Sequence, residues 1–412
     1  MFSESTILLR AILLLLFTFS TQIDVAAQAT DIENPAPKAF GGEDWYKKIR
    51  IRGYAQLRYN GLFETNPDLT CQQCDPAWGD GGGFSLRRVR IIFFGQIHER
   101  VYFYVQPDFA SGAGGSSTNF GQLRDAYIDV GLDKDNEFRF RLGQSKVPYG
   151  FENMQSSSNR LPLDRNDGIN SAKKNERDHG IFFYWAPKKI RKRFSMFNKK
   201  GLKGSGDYGV FGLGLYNGQT ANQFELNGEP HVVARLAYPF KLGNQYFEPG
   251  IQAYTGKYEI AANKITPGVG HNPDRNYLDQ RVAVSTILYP RPFGIQAEYN
   301  IGRGPEYDHA TNSIQVKDLH GGYVTLNYLF EFKGQKLYPF TRLQHYQGGK
   351  KHELDARTYN VNELEVGIEW MPYPNFEIVA MYTFSERRYE DAVRLDNFQT
   401  GNLMRFQFQV FF

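Results

Sequence analysis

Residues 137–177 read EFRFRLGQSKVPYGFENMQSSSNRLPLDRNDGINSAKKNER. The first part alternates, with Phe138, Phe140 and Leu142 on one side and Arg139, Arg141 and Gly143 on the other. A period of two with one apolar and one charged side marks a β-strand that divides two environments. The part that follows is polar and long, and unstructured connections beyond about 12 to 15 residues are uncommon and usually functional. One reading accounts for both parts. The strand belongs to a transmembrane antiparallel β-barrel, and its loop, 147–178, folds into the lumen as a constriction.

The same pattern recurs along the chain. Ile49, Ile51, Ala55, Leu57 and Tyr59 oppose Arg50, Arg52, Tyr54, Gln56 and Arg58, and near the C-terminus Phe406, Phe408, Val410 and Phe412 oppose Arg405, Gln407 and Gln409. Further alternating segments cover 84–97, 101–109, 122–132, 180–185, 208–216, 231–238, 247–255, 277–288, 294–302, 321–330, 337–346, 362–370 and 376–385. With the quoted strand as the fifth, the total is about 16, which makes the quoted loop the third long one. Tight turns such as His98-Glu99-Arg100 alternate with long polar loops such as 61–83 and 257–276. That asymmetry is the architecture of an outer-membrane barrel, where closure leaves no backbone group unpaired in lipid. The basic stretch 188–206 fits no strand cleanly and has room for a misassigned one.

Composition agrees. Of 412 residues, 33 are Phe and 26 Tyr, while 22% are charged. Beyond the N-terminus no apolar run approaches the roughly 18 residues of a membrane helix, so abundant aromatics without helical spans point to strands. A formal net charge of +4 against 48 basic and 44 acidic side chains means that any electrostatic function depends on where charges sit. Residues 1–29 read as a secretory signal, with Arg10 ahead of an apolar core, Ala11 to Phe19, and a small-x-small site at Ala27-Gln28-Ala29. A short periplasmic lead, 30–47, then precedes the barrel, 48–412. Cys71 and Cys74 lie in an exported setting and are read as a local disulfide, since a redox or zinc site needs a βαβ context or a second ligand pair.

Catalysis finds no support in these residues. The eight His are scattered, and no Ser sits in a G-x-S-x-G setting. The run Asp164-Arg165-Asn166-Asp167-Gly168 has its Gly too early for a calcium loop and lacks the distal Glu. No enzyme, cofactor, metal or nucleic-acid partner is therefore expected.

Several motifs carry a resemblance. Gly53-Tyr54-Ala55-Gln56-Leu57-Arg58, Leu86-Arg87-Arg88-Val89-Arg90, Leu123-Arg124-Asp125-Ala126-Tyr127, the run Leu142 to Glu152, and Glu176-Arg177-Asp178-His179-Gly180 are ordered and spaced as in the phosphate-selective porin O and P family. The resemblance spans most of the mature chain and is most specific in its first third. It implies a homotrimeric barrel in the outer membrane of a Gram-negative bacterium, a third loop folded into each pore, and rows of Arg and Lys guiding anions. The terminal Phe412 resembles the signal read by the outer-membrane assembly machinery.

An Arg or Lys facing the middle of the bilayer costs a barrel about 2 to 4 kcal/mol, so charges that alternate with aliphatics point into the lumen. Arg50, Arg52, Arg58, Arg139, Arg141, Arg235, Arg281, Arg342 and Arg405 pass this test as anion contacts. Guanidinium stays charged and its planar fork matches a phosphate or carboxylate edge. Arg50, Arg52 and Arg58 stand out because no acid shares their strand face. Arg87, Arg88 and Arg90 are ambiguous, since aliphatics occupy both faces there. In the loop, Lys146, Arg160, Arg165, Lys173, Lys174 and Arg177 are cationic candidates against Glu152, Asp164, Asp167 and Glu176, so the sign of the constriction stays open. The expected function is passive diffusion of small anions, phosphate or polyphosphate among them, through an Arg-lined pore. The alternatives are a general or weakly selective solute porin and a surface-binding barrel.

Overall fold

In the computed structural model, which describes residues 45–71, 83–110 and 120–412, the chain from Tyr46 onward is a closed antiparallel barrel of 16 strands. The signal peptide 1–29, most of the lead and Cys74 lie outside the described residues; Cys71 is disulfide-bonded. In chain order the strands are β1 (Arg50–Leu62), β2 (Gly83–His98), β3 (Val101–Asp108), β4 (Gln122–Gly131), β5 (Phe138–Lys146), β6 (Arg177–Trp185), β7 (Phe211–Tyr216) and β8 (His231–Ala237, resuming at Phe240–Leu242). Then come β9 (Gln245–Glu259), β10 (Asn276–Leu288), β11 (Phe293–Asp308), β12 (Ser313–Tyr328, resuming at Phe330–Phe332), β13 (Gln335–Gly349), β14 (Thr358–Tyr373), β15 (Phe376–Glu390) and β16 (Phe398–Phe411). Both pieces of β8 pair with β9, and both pieces of β12 with β13, so each is one strand with a break. Pairing of β1 with β16 closes the sheet, so no edge is left to seek water.

Alternation sorts the side chains. Leu215, Val232, Ile251, Val284, Leu326 and Val366 point outward and are exposed, as a lipid-facing band requires. Exposed Phe138, Tyr238, Phe293, Phe330, Trp370 and Tyr373 gather toward the short-turn end, where aromatics suit a membrane boundary. The opposite face is buried and polar, with Gln56, Arg58, Asp279, Arg342, Glu365 and Arg405 among its least exposed groups.

Two departures from simple alternation matter for the site. The register shifts between Gln56 and Leu57 against β2, where Gln56 faces Arg88 and Leu57 faces Leu86. A second shift lies between Gln106 and Pro107 against β4, where Gln106 faces Asp125 and Pro107 faces Leu123. Each leaves one extra residue, Arg87 and Arg124, outside the two-residue count.

The connections at one end are mostly tight, such as 99–100, 243–244, 333–334 and 374–375, and those at the other end are mostly longer. In outer-membrane barrels the short-turn end faces the periplasm. One turn-side connection breaks this pattern. Residues 186–210, where the sequence left room for a strand, hold a helix, Lys188–Lys199. Its buried Ile190, Phe194 and Phe197 fall at i, i+4 and i+7, one face of a helix, and they pack on inward-facing Ile287, Tyr338, Phe340, Val379 and Met381.

Candidate functional site

Residues 147–176 join β5 to β6 and include two single-turn helices, Phe151–Met154 and Asp167–Asn170. The sequence put Lys146 and Arg177 in this loop; both are strand residues, the last of β5 and the first of β6, paired with one another. The segment is polar because it bonds to inward-facing groups of distant strands. Glu298 on β11 accepts the Phe151 N–H at 2.5 Å, the Glu152 N–H at 2.8 Å and the Tyr323 hydroxyl at 2.8 Å. Those amides begin a short helix and have no intrahelical partner, so the carboxylate satisfies donors that would otherwise be orphaned.

The segment's acids meet arginines of the wall. Glu152 pairs with Arg342 at 2.8 Å, and Arg342 also bonds Glu365. Asp164 bridges Arg58 at 3.3 Å and Arg405. Asp167 pairs with Arg387 at 2.7 Å and with Lys350. Although burial opposes its charge, Arg387 and Lys350 hold the Asp167 carboxyl down to about 2. Arg281 donates to the Ser171 hydroxyl at 2.7 Å and pairs with Asp279 at 3.4 Å. Gly168 comes so close to β12 that a Cβ there would lie 2.7 Å from the Gly321 carbonyl carbon.

Several of the candidate arginines are buried in such contacts. Arg58 is 0% exposed and also bonds Gln407 at 2.8 Å. Arg281, Arg342 and Arg405 are buried too, as is Arg235, which bonds Glu248 at 3.0 Å and the Gly209 carbonyl at 2.6 Å. Lys173 lies buried beside Asp178 at 3.4 Å, and Lys174 is half-buried. Arg50 is exposed at the start of β1.

On the other side of the lumen a cavity of about 460 Å³ lies against β1–β6. Arg52, Arg139, Arg141, Lys146 and Arg177 line it, together with Arg100 from a turn and Arg191 from the helix. Facing these seven cations are three carboxylates, Asp125, Asp129 and Asp207, and the phenols of Tyr102, Tyr104, Tyr127 and Tyr208. Arg141 bonds Asp129 at 2.7 Å with its guanidinium 3.9 Å from the Tyr127 ring centroid. Arg177 bonds Asp125 at 2.9 Å and Glu176 at 2.8 Å, while Lys146 donates to the Met154 carbonyl at 2.9 Å.

Behind the cavity sits a denser group. Arg88 bonds Gln56 at 2.8 Å, Arg90 bonds Asp108 at 2.8 Å, Arg124 lies 3.6 Å from Glu176, and Arg165 lies 2.9 Å from Glu176. Among the described residues, Arg160 donates to the carbonyls of Pro162 and Leu163, at 3.0 and 2.7 Å. Burial, reinforced by neighbouring Arg165, lowers the Arg160 guanidinium to about 9. Burial works against a charged Glu176 too, yet Arg165, Arg177 and Arg124 outweigh it and keep the carboxyl below its ordinary range. Thus Arg88 and Arg90 face inward, whereas Arg87 is the extra residue of the register shift. Arg124 was missed because a bulge puts it and Asp125 on the buried side together; its position in the quoted Leu123-Arg124-Asp125 motif was the available signal.

No curated protein matches the chain in sequence. Among solved structures, the outer membrane channel DcaP of Acinetobacter baumannii is similar with a TM-score of 0.55 at 14% identity, covering 88% of this chain and 97% of that one. OmpF of Salmonella typhi in complex with daunomycin gives 0.55 at 14%, with 88% and 97% covered. OmpT, an outer membrane protein of Vibrio cholerae, gives 0.51 at 7%, again over 88% and 97%. At such identities the likeness is one of fold. Sequence supplies the rest, because residues 71–412 match the profile of a single family. The chain belongs to the phosphate-selective porin O and P family and is an outer-membrane porin of a Gram-negative bacterium.

Proposed function

We propose that this porin passes small anions by passive diffusion along the cavity beside β1–β6, with residues 147–176 inside the barrel as its constriction. The observation that carries the reading is the cavity's charge balance, seven cationic side chains to three carboxylates. A chain of such groups lowers the barrier to an anion provided that no single site holds it too tightly. The solute contacts in this reading are Arg52, Arg139, Arg141, Lys146 and Arg177. Arg88, Arg90, Arg124 and Arg165 raise the local potential behind them. The three carboxylates favour a broad preference for small anions over narrow selection of phosphate. A homotrimer, with Phe412 read by the assembly machinery, belongs to the same proposal.

The test is reversal potential in a salt gradient across planar bilayers, followed by titration with phosphate. A potential of the anion-selective sign, with phosphate reducing chloride current only at high concentration, is the expected result. Absent current or cation preference overturns the proposal.

A further inference from the structure

The connection 186–210 has no counterpart among the short turns beside it, and packing on the wall accounts for only one face of its helix. Ile190, Phe194 and Phe197 join a cluster that includes Phe151, Leu161 and Leu163 of the segment 147–176. Phe197 stacks on Tyr289 with ring centroids 3.8 Å apart. After the helix, Lys203 pairs with Glu369 of β14 at 2.5 Å, and the Tyr338 hydroxyl of β13 donates to the Gly201 carbonyl at 2.8 Å. Gln155 and Asn159 of the segment 147–176 donate to the carbonyls of Lys203 and Gly204 at 2.6 and 2.7 Å. The connection is thereby fixed to the β13–β14 wall and to the neighbouring segment at once.

Its remaining surface faces the cavity. Arg191, Asn198, Ser205, Gly206, Asp207 and Tyr208 all line it. Asp207 ties the two sides together, bonding Arg139 of β5 and Arg191 of the helix at 2.8 Å each. A mere filler for an apolar patch has no need of a polar edge anchored to the strands opposite. We propose that residues 186–210 form a second constriction, on the turn side, so that solute leaving the cavity passes between this connection and β1–β6, with Asp207 moderating the anion preference set by the arginines.

Cysteine substitution in the full-length protein tests this in planar bilayers. Cys71 is disulfide-bonded and leaves no free thiol among the described residues. Asn198→Cys puts a thiol at an exposed position on the cavity wall, and Lys192→Cys puts one at an exposed position that does not line it, about 120° round the same helix. A small anionic methanethiosulfonate reagent, added to both chambers, should cut the current of Asn198→Cys by about two-fold or more and leave that of Lys192→Cys unchanged. Complete labelling of Asn198→Cys, confirmed by mass spectrometry, with unaltered current overturns the proposal. Asp207→Asn should raise the anion to cation permeability ratio; an unchanged ratio removes Asp207 from the role. Because the current readout needs only a conducting channel, a parent pore without anion preference defeats the proposed solute class and leaves this constriction testable.

Discussion

Along β13–β16 the inward arginines Arg342, Arg387 and Arg405 meet carboxylates brought to them by residues 147–176; along β1–β6, Arg139, Arg141 and Arg177 are paired with acids too, yet with the exposed Arg52 they border open space. Both walls show the same alternation of cation and aliphatic in sequence. Access to the cavity therefore decides the job. A guanidinium at 0% exposure whose Nε and Nη1 bond carboxylates, such as Arg342, contributes order, whereas one at the edge of a cavity contributes potential.

The sharpest way to break this contrast is Arg342→Ala. It leaves Glu152 and Glu365 buried without their shared partner, and losing one member of a buried pair costs about 3 to 5 kcal/mol. Residues 147–176 should loosen, seen as larger and noisier single-channel current and as new protease cleavage within the segment. An unchanged cleavage pattern would merge the two walls into one kind. Glu298→Ala removes the acceptor of two amides and one hydroxyl, with an expected cost of about 1 to 3 kcal/mol and a milder version of the same noise.

The cavity side predicts the reverse. Arg52→Gln with Arg100→Gln should leave the unfolding temperature and the cleavage pattern alone while lowering the anion to cation permeability ratio by about two-fold. Loss of barrel stability in this variant would show that the exposed arginines are structural as well. Acid gives the smallest effect. Asp167, held down to about 2, has a native pKa below its ordinary 3.8. Its stabilising share is therefore present above the ordinary value and is lost as pH falls through about 2. The difference in channel noise between the parent and Asp167→Asn should be constant from about pH 8 to 5 and shrink only below about 4.

Much of the barrel was legible because lipid on one side and water on the other impose a period of two on each strand. What alternation cannot register is which inward charge finds a partner. Arg58 had no acid on its own strand face, yet Asp164 reaches it from 106 positions away. Arg124 was invisible for a local reason, since one extra residue in β4 reverses the count beyond it. The helix 188–199 was hidden by its composition. Its basic residues masked Ile190, Phe194 and Phe197, whose spacing was helical throughout.

The seam between β1 and β16 has a consequence for assembly. Gln56 and Gln409, bonded across it, are 353 positions apart, so the barrel shuts at its most distant pairing. Until then both margins of the sheet are open and the fold has no self-sufficient half. Once shut, the wall is a continuous fence that a helix cannot cross sideways without unzipping it. The helix 188–199, carried on a connection at the turn-side rim, is thereby left one way in, through that open mouth, and shortening the connection should be felt first as slower folding into detergent micelles.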